Sequence, residues 1–142
     1  MRGLVLAEAR TWLGTPYRHQ GSRKGVGCDC LGLVRGVWRA IYGAEPEPPP
    51  PYSPDWAETG GGDAMTLAAQ RHFAETVLAE AVPGDLILFR WRAGRPAKHC
   101  GILDEGGRVI HAYEGASVVS SPLTPGWTGR ISGAFRFPDR AR

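Results

Sequence analysis

Cys30, His99 and His111 are the side chains whose types and settings suit covalent chemistry. A thiolate is a strong nucleophile, but an ordinary cysteine is mostly protonated at neutral pH and needs its pKa lowered. Cys30 opens a segment in which Leu33, Val34, Val37, Trp38 and Ile41 recur at helical spacing, and Asp29 is well suited to cap it. The thiol is therefore expected in the first turn of a helix. Unpaired N–H groups and the positive end of the helix dipole favour thiolate there. The alternative fate of such a residue is a small buried apolar side chain. A cysteine nucleophile also needs a base within reach, and the base needs a third polar group to hold its tautomer. His99 to Asp104 and Arg108 to Tyr113 flank Glu105-Gly106-Gly107, a hairpin signature. If those three residues form the loop, Asp104 opposes Arg108 and both histidines point to one face. A slip of one residue would separate them.

A metal site is the main competing use of the same atoms. Cys28, Cys30, His99 and Cys100 are all zinc-type ligands. Against this, Cys-x-Cys is an unusual ligand spacing, and His99 and Cys100, adjacent on a strand, project to opposite faces. The expectation is that neither metal nor cofactor is needed. Three cysteines cannot all pair, so free thiols are expected, with Cys28 and Cys100 in structural roles.

The elements that must position these groups follow from the rest of the chain. Its 142 residues suit one domain, 1–142, and 20 glycines with 12 prolines point to a loop-rich fold rather than a helical bundle. A first helix is expected over about residues 3 to 13, ended by Gly14-Thr15-Pro16, and residues 17 to 27 read as loop. The Cys30 helix stops at Gly43. Residues 45–54 hold six prolines and read as an extended surface excursion, with Tyr52 a candidate anchor. A third helix is expected over 64–80. Short strands follow at 85–91, 99–104, 108–113, 118–121 and 131–137. Helices first and strands after argue for an α+β fold, helices packed on an antiparallel sheet of about five strands.

Charge and hydropathy exclude several classes of partner. The net charge of +3 is carried mainly by scattered arginines, with no dense basic run, so nucleic acid is not expected. No stretch approaches the roughly 18 apolar residues that span a bilayer, so no membrane partner is expected. Glu8 and Arg10 interrupt the first apolar run, and no export signal is expected.

The motifs also carry a family resemblance. Gly27-Cys28-Asp29-Cys30-Leu31-Gly32-Leu33-Val34 resembles the nucleophile signature of the NlpC-type cell-wall peptidases, a papain-like family. Gly14-Thr15-Pro16-Tyr17 is similar to the approach segment of that family, and Pro83-Gly84-Asp85-Leu86 to its proline-glycine-aspartate-leucine strand. His99-Cys100-Gly101-Ile102 is similar to its base motif, and Val109-Ile110-His111-Ala112 to its third polar position. The resemblance implies a single papain-like domain with Cys30 as nucleophile, His99 as base and then acid, and His111 as its orienter. Tyr17 and the Cys30 N–H would face the oxyanion, and Asp29 would be an N-cap first and a substrate-amine contact second. The implied substrate is an amide bond of peptidoglycan stem peptides, often between D-glutamate and a diamino acid. Leu31 stands where the family usually has serine.

Tyr17-Arg18-His19-Gln20 and Cys28 resemble, more narrowly, peptidases encoded in tail-gene clusters of phages and gene transfer agents. The implied partners are tail or tail-hub proteins. The implied route is synthesis in the cytoplasm, carriage on a particle and action on the wall in the periplasm. Two alternatives keep the fold and change the function: a catalytically silent tail or wall-binding module, and a small-molecule acyltransferase or amidase.

Overall fold

The structure, a computed structural model, describes residues 1–47 and 63–140. Most of the proline-rich stretch, Tyr52, Trp56 and the Gly60–Gly62 run lie outside the described residues. Helix α1 (Arg2–Arg10) is followed by a two-stranded ribbon, β1 (Ser22–Arg23) and β2 (Gly27–Cys28), and then α2 (Cys30–Tyr42). After α3 (Ala64–His72) come β3 (Ala74–Thr76), a 3₁₀ turn (Leu78–Glu80), β4 (Leu86–Phe89), β5 (His99–Asp104), β6 (Arg108–His111), β7 (Val119–Pro122), α4 (Pro125–Thr128) and β8 (Ile131–Arg136). Strands β3 to β8 form one sheet in the order β3-β8-β4-β5-β6-β7, with every neighbouring pair antiparallel. This is the α+β architecture expected, with six strands in place of about five. No helix among the described residues is long and apolar enough to cross a membrane.

The sheet is covered on both faces. Leu86, Leu88, Cys100, Ile102 and Ile110 pack with Val5, Leu6 and Ala9 of α1 and with Leu33, Val34 and Val37 of α2. On the other face Ile87, Phe89, Val109 and Ala134 are covered by Leu123, Trp127 and Ile131. Burial on two faces explains why Leu86-Ile87-Leu88-Phe89 shows no polar alternation. The turn before β4 is pinned by Asp85, fully buried, which accepts the Val82 N–H at 3.0 Å and lies 3.6 Å from Arg2 and 3.7 Å from Arg136.

Helix α2 begins and ends where its sequence says it should. The Asp29 carboxylate accepts the Gly32 N–H at 2.7 Å, and Gly43 closes the helix at φ +93°. The third helix is shorter than expected. It stops at His72, because Phe73 packs its ring against Trp38 and Phe137, at 5.3 and 4.8 Å, and the next three residues pair with β8. Tertiary pairing overrides a helical apolar phase here.

Candidate active site

The β5–β6 hairpin has the register that puts its histidines together. Asp104 pairs with Arg108 and Ile102 with Ile110, so His99 and His111 share a face. Their rings meet, His99 Nε2 to His111 Nδ1, at 2.8 Å. Gly101 lies directly beside His111 in this register. A β-carbon there would come within 2.7 Å of Val109, 2.8 Å of the Ile110 carbonyl and 3.0 Å of the His111 β-carbon. The third position of the His-x-Gly motif thus admits the second histidine.

The Cys30 helix and the histidines do not meet through the sheet face that α1 and α2 cover. His99 pairs across the ladder with Phe89 and shares its face, whereas Cys100 pairs with Leu88 and faces the helices. The helices therefore cover the sheet face opposite the histidines. Cys30 meets His99 because α2 starts over the beginning of β5, where the strand end leaves both faces within reach. Cys30 is half-buried. A hydrogen bond from Cys100 and then one from His99 hold its thiol well below the ordinary cysteine range, outweighing its burial. Cys100, buried and facing that negative sulfur, is pushed well above the ordinary range, so the pair carries one thiolate and it sits on Cys30.

Burial, with a smaller contribution from the charge of His99, pushes His111 down to about 3, so it stays neutral at working pH. Its Nε2 lies 2.7 Å from the Ser121 hydroxyl on β7. Protonated His99 has only donors, so His111 must then accept at Nδ1 and carry its proton on Nε2, donating to Ser121. In that tautomer His111 keeps the Nε2–H of neutral His99 engaged and leaves His99 Nδ1 to exchange a proton with Cys30.

The approach loop is tied closely to the start of α2. Residues 17 and 28 bridge, and the Gln20 N–H donates to the second Asp29 oxygen at 2.7 Å, with Gln20 held at φ +63°. Asp29 thus caps α2 with one carboxylate oxygen and holds the approach loop with the other. Burial, then the negative charges of Asp29 and Cys30, push the Tyr17 phenol up to about 12. It is therefore a hydrogen-bond donor at any working pH. The Cys30 N–H, at the first helical position, has no partner within the helix.

Four groups at the site were not singled out as site residues from sequence. Ser121 terminates the relay, and Trp91, Tyr113 and Trp127 wall the histidines. Trp127 lies 5.8 Å from His99 and 5.1 Å from His111, and Tyr113 lies 4.9 Å from His111. Pairing of β6 with β7 brings in Ser121, the short helix α4 brings in Trp127, and pairing of β4 with β5 carries Trp91 to His99, while Tyr113 follows His111 by two residues. Cys28 is buried, and its thiol is pushed up to about 12, first by burial. Among the described residues no group of three or more His, Cys, Asp or Glu side chains is arranged to hold a metal.

The neutral burial of His111 has a measurable consequence. Unfolded, this group takes a proton below its ordinary value of 6.5; folded, it does not until about 3. Its stabilising contribution is full above 6.5 and is lost as pH falls towards 3, at about 1.4 kcal/mol per pH unit. Urea unfolding between pH 6.5 and 5 is expected to give a slope steeper in the wild type than in His111→Gln by about that amount, the Cys30 thiolate adding a slope of the same sign to both. Parallel slopes would show that His111 is not held neutral.

Residues 14–136, which include Cys30, His99 and His111, match the NlpC/P60 family. The chain is 30% identical over 134 residues to the gamma-DL-glutamyl hydrolase of Bacillus subtilis (strain 168), covering 94% of this chain and 29% of that protein. It is 30% identical over 117 residues to the probable endopeptidase NlpC of Escherichia coli (strain K12), covering 82% of this chain and 64% of that one. The chain thus spans less than two thirds of each of these relatives. Its fold is similar to the NlpC/p60 domain of the peptidoglycan hydrolase SagA, with a TM-score of 0.66 at 24% identity over 96% of this chain and 99% of that one. It is also similar to the peptidoglycan hydrolase RipB of Mycobacterium tuberculosis, with a TM-score of 0.60 at 25% identity over 97% and 65%. The α+β fold expected from the sequence is therefore the papain-like fold of these structures, and the chain belongs to the NlpC/P60 family.

Proposed function

We propose that this chain is a cysteine endopeptidase acting on amide bonds of peptidoglycan stem peptides, with residues 1–142 working as one domain. The observation that carries the reading is the convergence of Cys30, with its depressed thiol pKa, on a histidine bonded at 2.8 Å to a second, neutral histidine. The Cys30 thiolate attacks the carbonyl carbon, and the oxyanion is met by the Cys30 N–H and the Tyr17 hydroxyl. Collapse breaks the C–N bond, and the leaving amine takes its proton from the His99 imidazolium. His99 then removes a proton from water, which attacks the thioester and releases the carboxylate and the thiolate. His111 orients His99 throughout, and Ser121 orients His111. The gamma-glutamyl linkage named for the Bacillus relative makes the D-glutamate to diamino acid bond the first candidate. Leu31, where serine is usual, removes a hydroxyl that could contact substrate beside the nucleophile.

Digestion of purified peptidoglycan and soluble stem peptides, read by mass spectrometry, tests the reading. New amine and carboxyl ends at one peptide bond are expected. Turnover of small esters or lipids with intact muropeptides would instead favour an acyltransferase. No turnover of any substrate would favour a silent wall-binding module.

The resemblance of Tyr17 to Gln20 and Cys28 to tail-cluster peptidases supports a further element of the proposal: carriage on a phage-like tail to the wall. The protein is expected in purified particles, bound to tail or hub proteins. Detection only as free protein in the cytosol would remove that element and leave the chemistry standing.

A further inference from the structure

His99 is held by more than its bond to His111. Phe89 lies 5.6 Å from its ring at an interplanar angle of 40°, and Trp127 lies 5.8 Å away at 41°. The Tyr113 ring lies 6.3 Å away and perpendicular to it, at 86°. Trp91 differs from all three: its ring lies 5.5 Å from His99 at only 22°, face to face. Trp91 is half-buried, two residues beyond the end of β4, and the Arg130 guanidinium lies 5.6 Å from the centroid of the same indole.

We propose that Trp91 is a positioning residue for His99: the stacked indole fixes the plane of the imidazole between His111 and Cys30 and favours its cationic form. The physical basis is the aromatic quadrupole. A ring face presents negative potential to a cation, and of the four rings Trp91 alone lies nearly parallel to the imidazole with its face on it, so the stack favours imidazolium. Imidazolium beside Cys30 in turn favours thiolate. A stacked ring also blocks rotation of the imidazole, which the bond to His111 alone does not. This role rests on the reading of Cys30 and His99 as nucleophile and base.

The charged and titratable groups around His99 are Cys30 and Asp29 at the start of α2, Tyr17 before it and Cys100 beside it on β5. His111 and Tyr113 face it from β6 and the segment after it, and Arg130 approaches through the indole. Substitution of Trp91 removes none of these groups but does release the Arg130 guanidinium from the indole; Arg130→Gln with Trp91 intact is the control, and its alkylation profile is expected to match wild type.

The test is the rate of Cys30 alkylation by iodoacetamide between pH 4 and 9, with peptide mapping to confirm the site, in wild type, Trp91→Phe, Trp91→Leu and Trp91→Met. Alkylation follows the thiolate fraction and needs no substrate, so it reads the proposal whether or not muropeptides are cut. On the acid limb the Leu and Met variants are expected to react roughly fivefold more slowly than wild type, with Phe within about twofold. For muropeptide cleavage, kcat is expected to fall with KM nearly unchanged. Superimposable alkylation profiles in a folded Leu or Met variant would overturn the proposal, as would a rise in KM alone, which would make Trp91 a substrate contact.

Discussion

Cys30→Ala is expected to lower kcat/KM on muropeptides by about 10⁴-fold or more, with the fold intact. Two features make this effect large. In the proposed mechanism the thiolate forms the covalent bond on which every later step depends, and neither of the other two cysteines is suited to take over. Cys28 is fully buried, its thiol pushed up to about 12, and Cys100 is buried with its thiol pushed up well beyond the ordinary range. Cys30→Ser is expected to be nearly as inactive, because His99 is poorly matched to a hydroxyl whose pKa lies far above that of a thiol. Circular dichroism and thermal unfolding of Cys30→Ala should match wild type, since the side chain is half-exposed and lies at a helix end. If the alanine variant kept activity within tenfold of wild type, the nucleophile assignment would be lost.

Gly32→Ala is expected to have the largest effect on stability for the smallest change in atoms. A methyl group at this position would overlap the Gly21 carbonyl oxygen, approach the Gly21 carbonyl carbon to 2.9 Å and lie 3.1 Å from the capping oxygen of Asp29. The obstacle is backbone, which cannot rotate aside as a flexible side chain would. The expected loss is about 3 kcal/mol, at the upper end for overpacking. For a chain of this size that corresponds to a fall in Tm of about 10 °C. Activity should fall further than unfolding explains, because the displaced loop carries Tyr17 and the capped start of α2. Gly3→Ala is the matched control. It sits in α1 with nothing within 4 Å of the added carbon, and is expected to be neutral or slightly stabilising. Equal melting of Gly32→Ala and wild type would show that the approach loop is not seated on α2 as described.

Features written in local pattern were legible in the sequence. The α2 stripe, its aspartate cap and its glycine stop read correctly because each depends on residues within a few positions of one another. The hairpin register read correctly because Glu105-Gly106-Gly107 allows a three-residue loop, in which Gly106 and Gly107 both take positive φ. What escaped depends on partners distant in sequence. Phe73 and Val77 fit a helical phase, yet β3 forms because β8 is available to pair. The ribbon of β1 and β2 consists of two-residue strands in a glycine-rich loop, with no local signal of its own. Ser121 is one serine in an unremarkable strand until β7 pairs with β6. Trp91 and Trp127 lie 36 positions apart, yet their rings are 5.7 Å from each other. The sheet side on which the histidines lie was likewise not readable, because Cys30 reaches His99 around the end of a strand rather than through the helix-packed face.

The order of the sheet leaves β7 at one edge, and β7 carries Ser121. Edge strands have one unpaired side and are among the first parts of a fold to open. On its neighbouring residue, Ser120 bonds Asp104, which Arg10 holds in turn, so the edge is tethered to the first helix at its far end. The relay behind His99 therefore lasts only as long as this edge stays closed. Local opening at the rim of the sheet would uncouple Ser121 from His111 while the rest of the molecule stayed folded.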